Sequence, residues 1–295
     1  MRKFEISADS TCDLYKSEAE DLGIYVGRLN FVIEQGKETT EYFDDFENYE
    51  EYVEFYSKLR SGAVARTSIL NLQAHIDLFT KMAEDGVKNA LHFSQSKGLS
   101  PTIDNARQAI EIVKEKYPDI NYLAIDTNTT TVGEGMLVKL GCKLRDEGKT
   151  NQEAYDIIEA EKNHIQHFVL VDDLMYLKRG GRISAVSATF GTILNIKPII
   201  EFSKAGKLEV VRKEKGLKKA LKSIVAEFEK YTKSEYFDIV IVHTDNLPLA
   251  TELQTMLEGV CGFKPEIKIM GPIIGAHVGP NAVAYAFISN EERPV

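Results

Sequence analysis

Four times in the first half of the chain, an apolar run gives way to a hydroxyl-rich turn and the turn to a helical pattern. The turns are Asp9-Ser10-Thr11-Cys12-Asp13-Leu14, Arg66-Thr67-Ser68-Ile69-Leu70-Asn71, the stretch 94–102 (S-Q-S-K-G-L-S-P-T), and Asp126-Thr127-Asn128-Thr129-Thr130-Thr131. Strands alternating with helices in this way predict a mostly parallel, doubly wound sheet. Open α/β sheets bind ligands at the carboxyl ends of their strands, where these hydroxyls fall. The stretch 94–102 is the fullest case. Ala90-Leu91-His92-Phe93 leads into it, and Ala106, Ala109, Ile110 and Val113 follow at helical spacing. Pro101 suits the first turn of that helix, and Ser100 suits its cap. A helix N-terminus offers unpaired N–H groups and partial positive charge, a natural seat for an anion. Taken singly, such residues are ordinary loop and capping groups; their recurrence is what raises the ligand reading.

Other elements follow from the same pattern. Strands are expected at 4–6, 24–33 and 122–125, with a hairpin turn at Gly36-Lys37. A helix over 46–59 carries Tyr49, Tyr52, Val53 and Tyr56 on one stripe, a core or lid face. After residue 126 a helix is expected over 136–145. Gly133-x-Gly135 before it is no dinucleotide fingerprint, because Val138 stands where Gly or Ala is wanted. Gly148-Lys149-Thr150-Asn151 then opens a helix over 151–165, a connection between an N-terminal domain, 1–162, and a C-terminal mixed α/β domain, 163–295.

The second half opens with a strand at 168–171 and a basic turn, Leu177-Lys178-Arg179-Gly180-Gly181-Arg182-Ile183-Ser184. Gly-Gly lets a backbone approach a ligand closely, and an Arg fork suits carboxylate or phosphate; a solvated basic turn is the plainer reading. A helix is expected at 185–194, strands at 197–200 and 208–211 around Gly206, and an amphipathic helix through Leu217, Ala220, Leu221, Ile224, Val225 and Phe228. Strands at 238–243, 266–270 and 282–288 and a helix at 249–257 complete the chain. His277, between apolar residues and a Gly-Pro turn, is the best-placed histidine to meet an anion, although a lone histidine there is more often a core residue. His164 and His167, three apart on the expected helix, lack a third ligand, so no metal is predicted.

Composition sets the outer limits. The chain has 295 residues, 43% hydrophobic and 27% charged, with net charge −9. That is ordinary globular composition for one large or two modest domains. The acidic balance argues against nucleic acid. Cys12, Cys142 and Cys261 are odd in number and far apart, which argues for a reducing compartment. No signal peptide or membrane-spanning stretch is evident, so a cytoplasmic protein is expected.

Six signatures stand together in order: Asp9-Ser10-Thr11-Cys12-Asp13-Leu14; Thr67-Ser68; Ser96-x-Gly98-Leu99-Ser100-x-Thr102; Asp126-Thr127 with Gly133-x-Gly135; the basic turn at 177–184; and His277-Val278-Gly279-Pro280. Over nearly the whole chain this resembles the DegV family of bacterial fatty-acid-binding proteins. The resemblance implies two α/β domains with one long-chain fatty acid buried between them. It implies no cofactor beyond that acid and no catalysis by the chain itself. The partner is a fatty acid kinase, which phosphorylates the bound carboxylate to an acyl phosphate for phospholipid synthesis. Carried over by position, Thr67, Ser96 and His277 hold the carboxylate, while Ser10, Arg182 and Lys215 lie near the head group or the kinase. The chain departs from the family at Ile69-Leu70, Lys97, Pro101, Asn281 and Lys215.

The physics fits that implication. A buried carboxylate needs donors or it protonates, and hydroxyls at a helix N-terminus supply them. An acyl tail contributes about 0.8 kcal/mol per buried CH2. An enclosed tunnel is therefore expected. The competing reading is an enzyme on a small carboxylate or phosphate, with Ser96 as nucleophile and His277 as base. It requires a base within reach of Ser96. A transcriptional regulator finds little support in an acidic chain without a helix-turn-helix.

Overall fold

The structure is a computed structural model that describes residues 2–183 and 195–294. The helix expected at 185–194 lies outside the described residues. In the first half, β1 (Glu5–Asp9), β2 (Tyr25–Gly27), β6 (Asn89–Ser94) and β7 (Asn121–Asp126) form a wholly parallel sheet in the order β2-β1-β6-β7. The helices that connect and flank it are α1 (Lys16–Leu22), α3 (Leu72–Glu84), α4 (Thr102–Lys116), α5 (Thr131–Asp146) and α6 (Asn151–Glu161). Their starts are chemically marked. Asn71 caps α3 by accepting from Ala74 N, and Thr150 with Glu153 forms a capping box on α6.

Several boundaries differ from the sequence reading. The single strand expected at 24–33 is two, β2 and β3 (Asn30–Gln35), in different sheets. β3 pairs antiparallel with β4 (Glu38–Phe43) and β5 (Val64–Thr67), a small third sheet that α2 (Tyr49–Arg60) accompanies. Tyr52 and Tyr56 of the expected stripe are buried, whereas Tyr49 is exposed. Ser100 gives α4 no side-chain cap; Pro101 itself takes the cap position.

The largest shift is α5, which starts at Thr131, five residues earlier than expected. It lies between the two large sheets, touching β1 and β6 on one side and the strands of the second half on the other. Gly135 and Gly141 belong to that packing. A Cβ on Gly135 would come within 2.6 Å of Cys12 O, and one on Gly141 within 2.8 Å of the Phe93 ring. The Gly-x-Gly that is no nucleotide motif is thus a helix-packing motif.

The second half is built on a six-stranded mixed sheet. Its members are β8 (Ile165–Leu170), β9 (Ile196–Phe202), β10 (Leu208–Lys215), β11 (Ile239–His243), β12 (Glu266–Ile269) and β13 (Val283–Ile288), in the order β10-β9-β8-β13-β11-β12. β8, β11 and β13 are buried throughout; β11 and β13 accordingly read as apolar runs, whereas Gln166 and His167 interrupt β8, which begins at Ile165 rather than at the expected 168. α7 (Met175–Arg179) follows β8, and α8 (Leu217–Phe228) and α9 (Leu247–Cys261) pack behind the sheet. α10 (Pro272–Val278) sits between β12 and β13. Residues 162–164 form a short 3-10 turn and β8 begins at Ile165, so His164 and His167 do not share a helix.

One hydrophobic core runs from Ile6 and Phe93 through Leu137 to Val242 and Ala284, and so joins the two large sheets. Polar ties cross the same divide. Gly271 N donates to Asp13 Oδ1 at 3.0 Å, Tyr56 OH to Met270 O at 2.8 Å, and Lys268 pairs with Glu18.

Candidate functional site

Between the two large sheets lies a cavity with about 790 Å3 of non-atom space. Its walls come from the places where strands end: the residues after β5, β6 and β12, the start of α5, one face of β8 and β9, and α10. Most of the lining is apolar, including Leu29, Val169, Leu177, Ile200, Ile273 and Val278. Thr67, Ser68, Gln95, Ser100, Thr130, Thr131, His167, Arg182 and His277 are the polar members, and no acidic residue is among the lining residues. Three of the four hydroxyl-rich turns thus converge here, whereas the turn at 9–14 contributes no lining residue.

Thr67, at the end of β5, has Oγ1 2.9 Å from Nε2 of His277 on α10. Burial, with the Arg182 charge adding to it, pushes His277 down to about 4, so the imidazole is neutral at pH 7. Arg182 is half-buried; its Nε donates to Leu99 O at 3.2 Å and Nη1 donates to Gly180 O. Burial pushes its pKa down from the usual arginine value. Both partners are carbonyls, and no ion pair to a described carboxylate satisfies the guanidinium, which leaves donors for an anion. Thr67, Arg182 and His277 also line a separate surface hollow that includes Arg66 and Arg179. These three side chains are therefore a wall with the apolar cavity on one side and a basic surface on the other.

Gly-Gly acts differently from expectation. Gly180 brings the backbone against His277 rather than against a ligand: a Cβ there would reach the imidazole, with Cε1 at 3.0 Å.

The remaining expected site residues are not brought to the cavity. Ser96 Oγ donates to Gly206 O at 2.8 Å and accepts from Gly98 N at 3.1 Å, locking the β9–β10 hairpin onto this turn. Gly206 has φ +68 and lies so close to Ser96 that a Cβ would overlap its hydroxyl. Ser96 Oγ thus has no bond to His277, as a nucleophile–base pair would require. Ser10 Oγ accepts from Leu29 N at 3.2 Å and so fixes a wall residue. Lys215 is exposed at the end of β10 opposite Leu208, roughly 20 Å along the strand.

Beneath the cavity floor lies a group of buried acids. Thr131, which lines the cavity, has φ +51, strained for a β-branched residue, and its Oγ1 donates to Asp13. Asp9 accepts from Gln95 N at 3.1 Å, and Thr11 Oγ1 donates to Glu134 Oε2 at 2.8 Å. Burial raises the pKa of Asp9 and, further, that of Glu134. Among the described residues, no group of three or more His, Cys, Asp or Glu side chains is placed to hold a metal. No described helix is long and apolar enough to cross a membrane.

His167 is the lining residue the sequence reading missed. The sequence pattern puts it on a helix; on β8 it faces the same way as Val169, toward the cavity.

The chain is an α/β protein with a mainly apolar cavity between its two large sheets. It belongs to the DegV family, whose model, described as an uncharacterised protein family, matches residues 3–290. It is 35% identical over 297 residues to a DegV domain-containing protein of Clostridium perfringens, covering 100% of both chains. A solved Thermotoga maritima protein, described as revealing fatty acid binding function, matches at 25% identity with TM-score 0.82, covering 98% of this chain and 100% of that one. A stearic acid-binding protein from Eubacterium ventriosum shares the fold at 23% identity with TM-score 0.83, covering 97% and 98% of the two chains.

Proposed function

We propose that this protein binds one long-chain fatty acid in the cavity and presents it to a partner kinase, which phosphorylates the carboxylate to an acyl phosphate for lipid synthesis. The portions 1–162 and 163–295 act as two domains that enclose the tail. The observation that carries this reading is the shared wall of Thr67, Arg182 and His277, apolar cavity behind and basic surface hollow in front. A carboxylate there meets a hydroxyl, a neutral imidazole and a guanidinium with donors to spare. Its reactive oxygens face the side from which a second protein and a nucleotide can approach. The tail, in contact with residues such as Val169 and Ile273, supplies affinity by burial.

Ser96 and Ser10 serve this reading indirectly, by fixing the hairpin and Leu29. Lys215, exposed, belongs to an outer docking surface for the kinase. The protein works in the bacterial cytoplasm, needs no cofactor besides the acid, and leaves catalysis to the kinase. Native mass spectrometry of the purified protein, followed by lipid extraction, tests the reading. One fatty acid per chain is expected. A mass without ligand that persists after incubation with saturated and unsaturated acids overturns it.

A further inference from the structure

We infer that the cavity selects an acyl chain that carries a hydroxyl group along its length, held by His167 and Thr130. This rests on the fatty-acid reading and adds a substrate class to it. Within a mainly apolar lining, His167 Nε2 and Thr130 Oγ1 have no hydrogen-bond partner among the described residues. The two residues are 2% and 3% exposed, so bulk water does not serve them. A plain methylene chain would leave both atoms unpaired, a standing cost in such surroundings.

The surroundings of His167 say what group would fit. Its ring packs on Phe202, centroids 5.2 Å apart, and Nδ1 lies 3.4 Å from Thr129 Oγ1. A Cβ on Gly133 would come within 3.2 Å of its Cε1. None of these neighbours belongs to the Thr67–Arg182–His277 wall. Burial, with the Arg293 charge adding to it, pushes the imidazole down to about 3, so it is neutral and asks for no anion. Thr129 Oγ1 can donate to Nδ1 or accept from it, leaving Nε2 as donor in one tautomer and acceptor in the other. A hydroxyl satisfies either state, and being both donor and acceptor it suits the Thr130 hydroxyl equally. A carboxylate or ketone satisfies only one. Thr130 is free for this role, because it makes no side-chain capping bond to α5.

The test is competitive binding to the delipidated protein of stearate and a positional series of hydroxystearates, in wild type, His167→Phe and Thr130→Val. Thr130→Val is nearly isosteric, so it keeps the question open to experiment if the histidine variant fails to fold. At least one isomer is expected to bind about tenfold tighter than stearate in wild type, the worth of one or two well-placed hydrogen bonds. That preference is expected to fall below about twofold in either variant. Equal or weaker binding of every isomer, with stearate still bound, overturns the inference and leaves the carrier reading standing. A preference that survives in the variants also overturns it. Failure of stearate and all isomers to bind removes both readings.

Discussion

Thr67 Oγ1 lies 2.9 Å from His277 Nε2, a contact that joins the end of β5 to the last turn of α10. Both groups are neutral at pH 7, so the pair can turn its donors toward a carboxylate without a counter-charge of its own. Thr67→Val removes the hydroxyl and keeps the shape. Stearate affinity is expected to drop about tenfold while the melting temperature stays nearly unchanged. Displacement titration reads the affinity; undiminished binding removes this residue from the head-group site.

Arg182 faces both the cavity and the outer hollow. If it handles charge as phosphate is transferred, Arg182→Ala lowers the rate of acyl phosphate formation with the partner kinase by a larger factor than it lowers stearate affinity. Tail burial dominates affinity, whereas charge at the carboxylate is what transfer alters. Equal losses in loading and transfer would show that the residue does no more than hold the ligand.

The hydroxyl turns were legible because a strand followed by Ser, Thr or Asp and then a helical pattern has few structural solutions. The parallel sheet brings the turns after β6 and β7 to the cavity, whereas the Thr67-Ser68 turn arrives from β5 in the antiparallel third sheet. The third sheet was legible only in its hairpin turn at Gly36-Lys37: the break at Gly27-Arg28 inside 24–33 is too weak to divide that stretch, and the pairing of β3 with β4 and β5 does so. His167 was hidden by an error of period. The pattern over 151–165 was extended through a 3-10 turn into β8, and a strand face only emerges once Ile165 begins a strand. The hydrogen bond of Ser96 is illegible for a different reason. Its partner, Gly206 O, is 110 residues away, and no local pattern announces such a contact.

The acids beneath the cavity set a pH dependence. Burial pushes Asp13 and Asp44 up to about 7 from an ordinary 3.8. A carboxyl whose folded pKa is raised favours the folded state while protonated. Its contribution is fullest below about pH 4 and is lost as pH rises toward 7, with no further change above. Asp44 Oδ2 has no hydrogen-bond partner among the described residues, so Asp44→Asn leaves the site nearly as it is in the protonated protein. The variant is expected to match wild type near pH 4 and to exceed it in stability at pH 8. Urea unfolding at pH 4.5, 6 and 8 measures this, and the difference between the proteins cancels other titrating groups. A difference that does not grow with pH would show that Asp44 ionises normally.

Gly180 and Gly181 are adjacent and differ in what an added methyl group would meet. Gly180 has φ −72, an ordinary helical value, but its Cβ would press on the His277 ring. Gly181 has φ +72 and open space around it. Gly180→Ala therefore carries little backbone penalty and acts by shifting the imidazole, which separates it from Thr67. Gly181→Ala meets no side chain and carries the cost of a left-handed residue, about 1 kcal/mol. The expected result is a double dissociation. Gly180→Ala loses stearate affinity with a small change in unfolding free energy, whereas Gly181→Ala loses stability and keeps affinity. Unfolding curves and stearate titrations on the two proteins decide it. Undiminished binding by Gly180→Ala would mean that the position of His277 does not matter to the ligand. The Gly-Gly pair would then be a turn and nothing more.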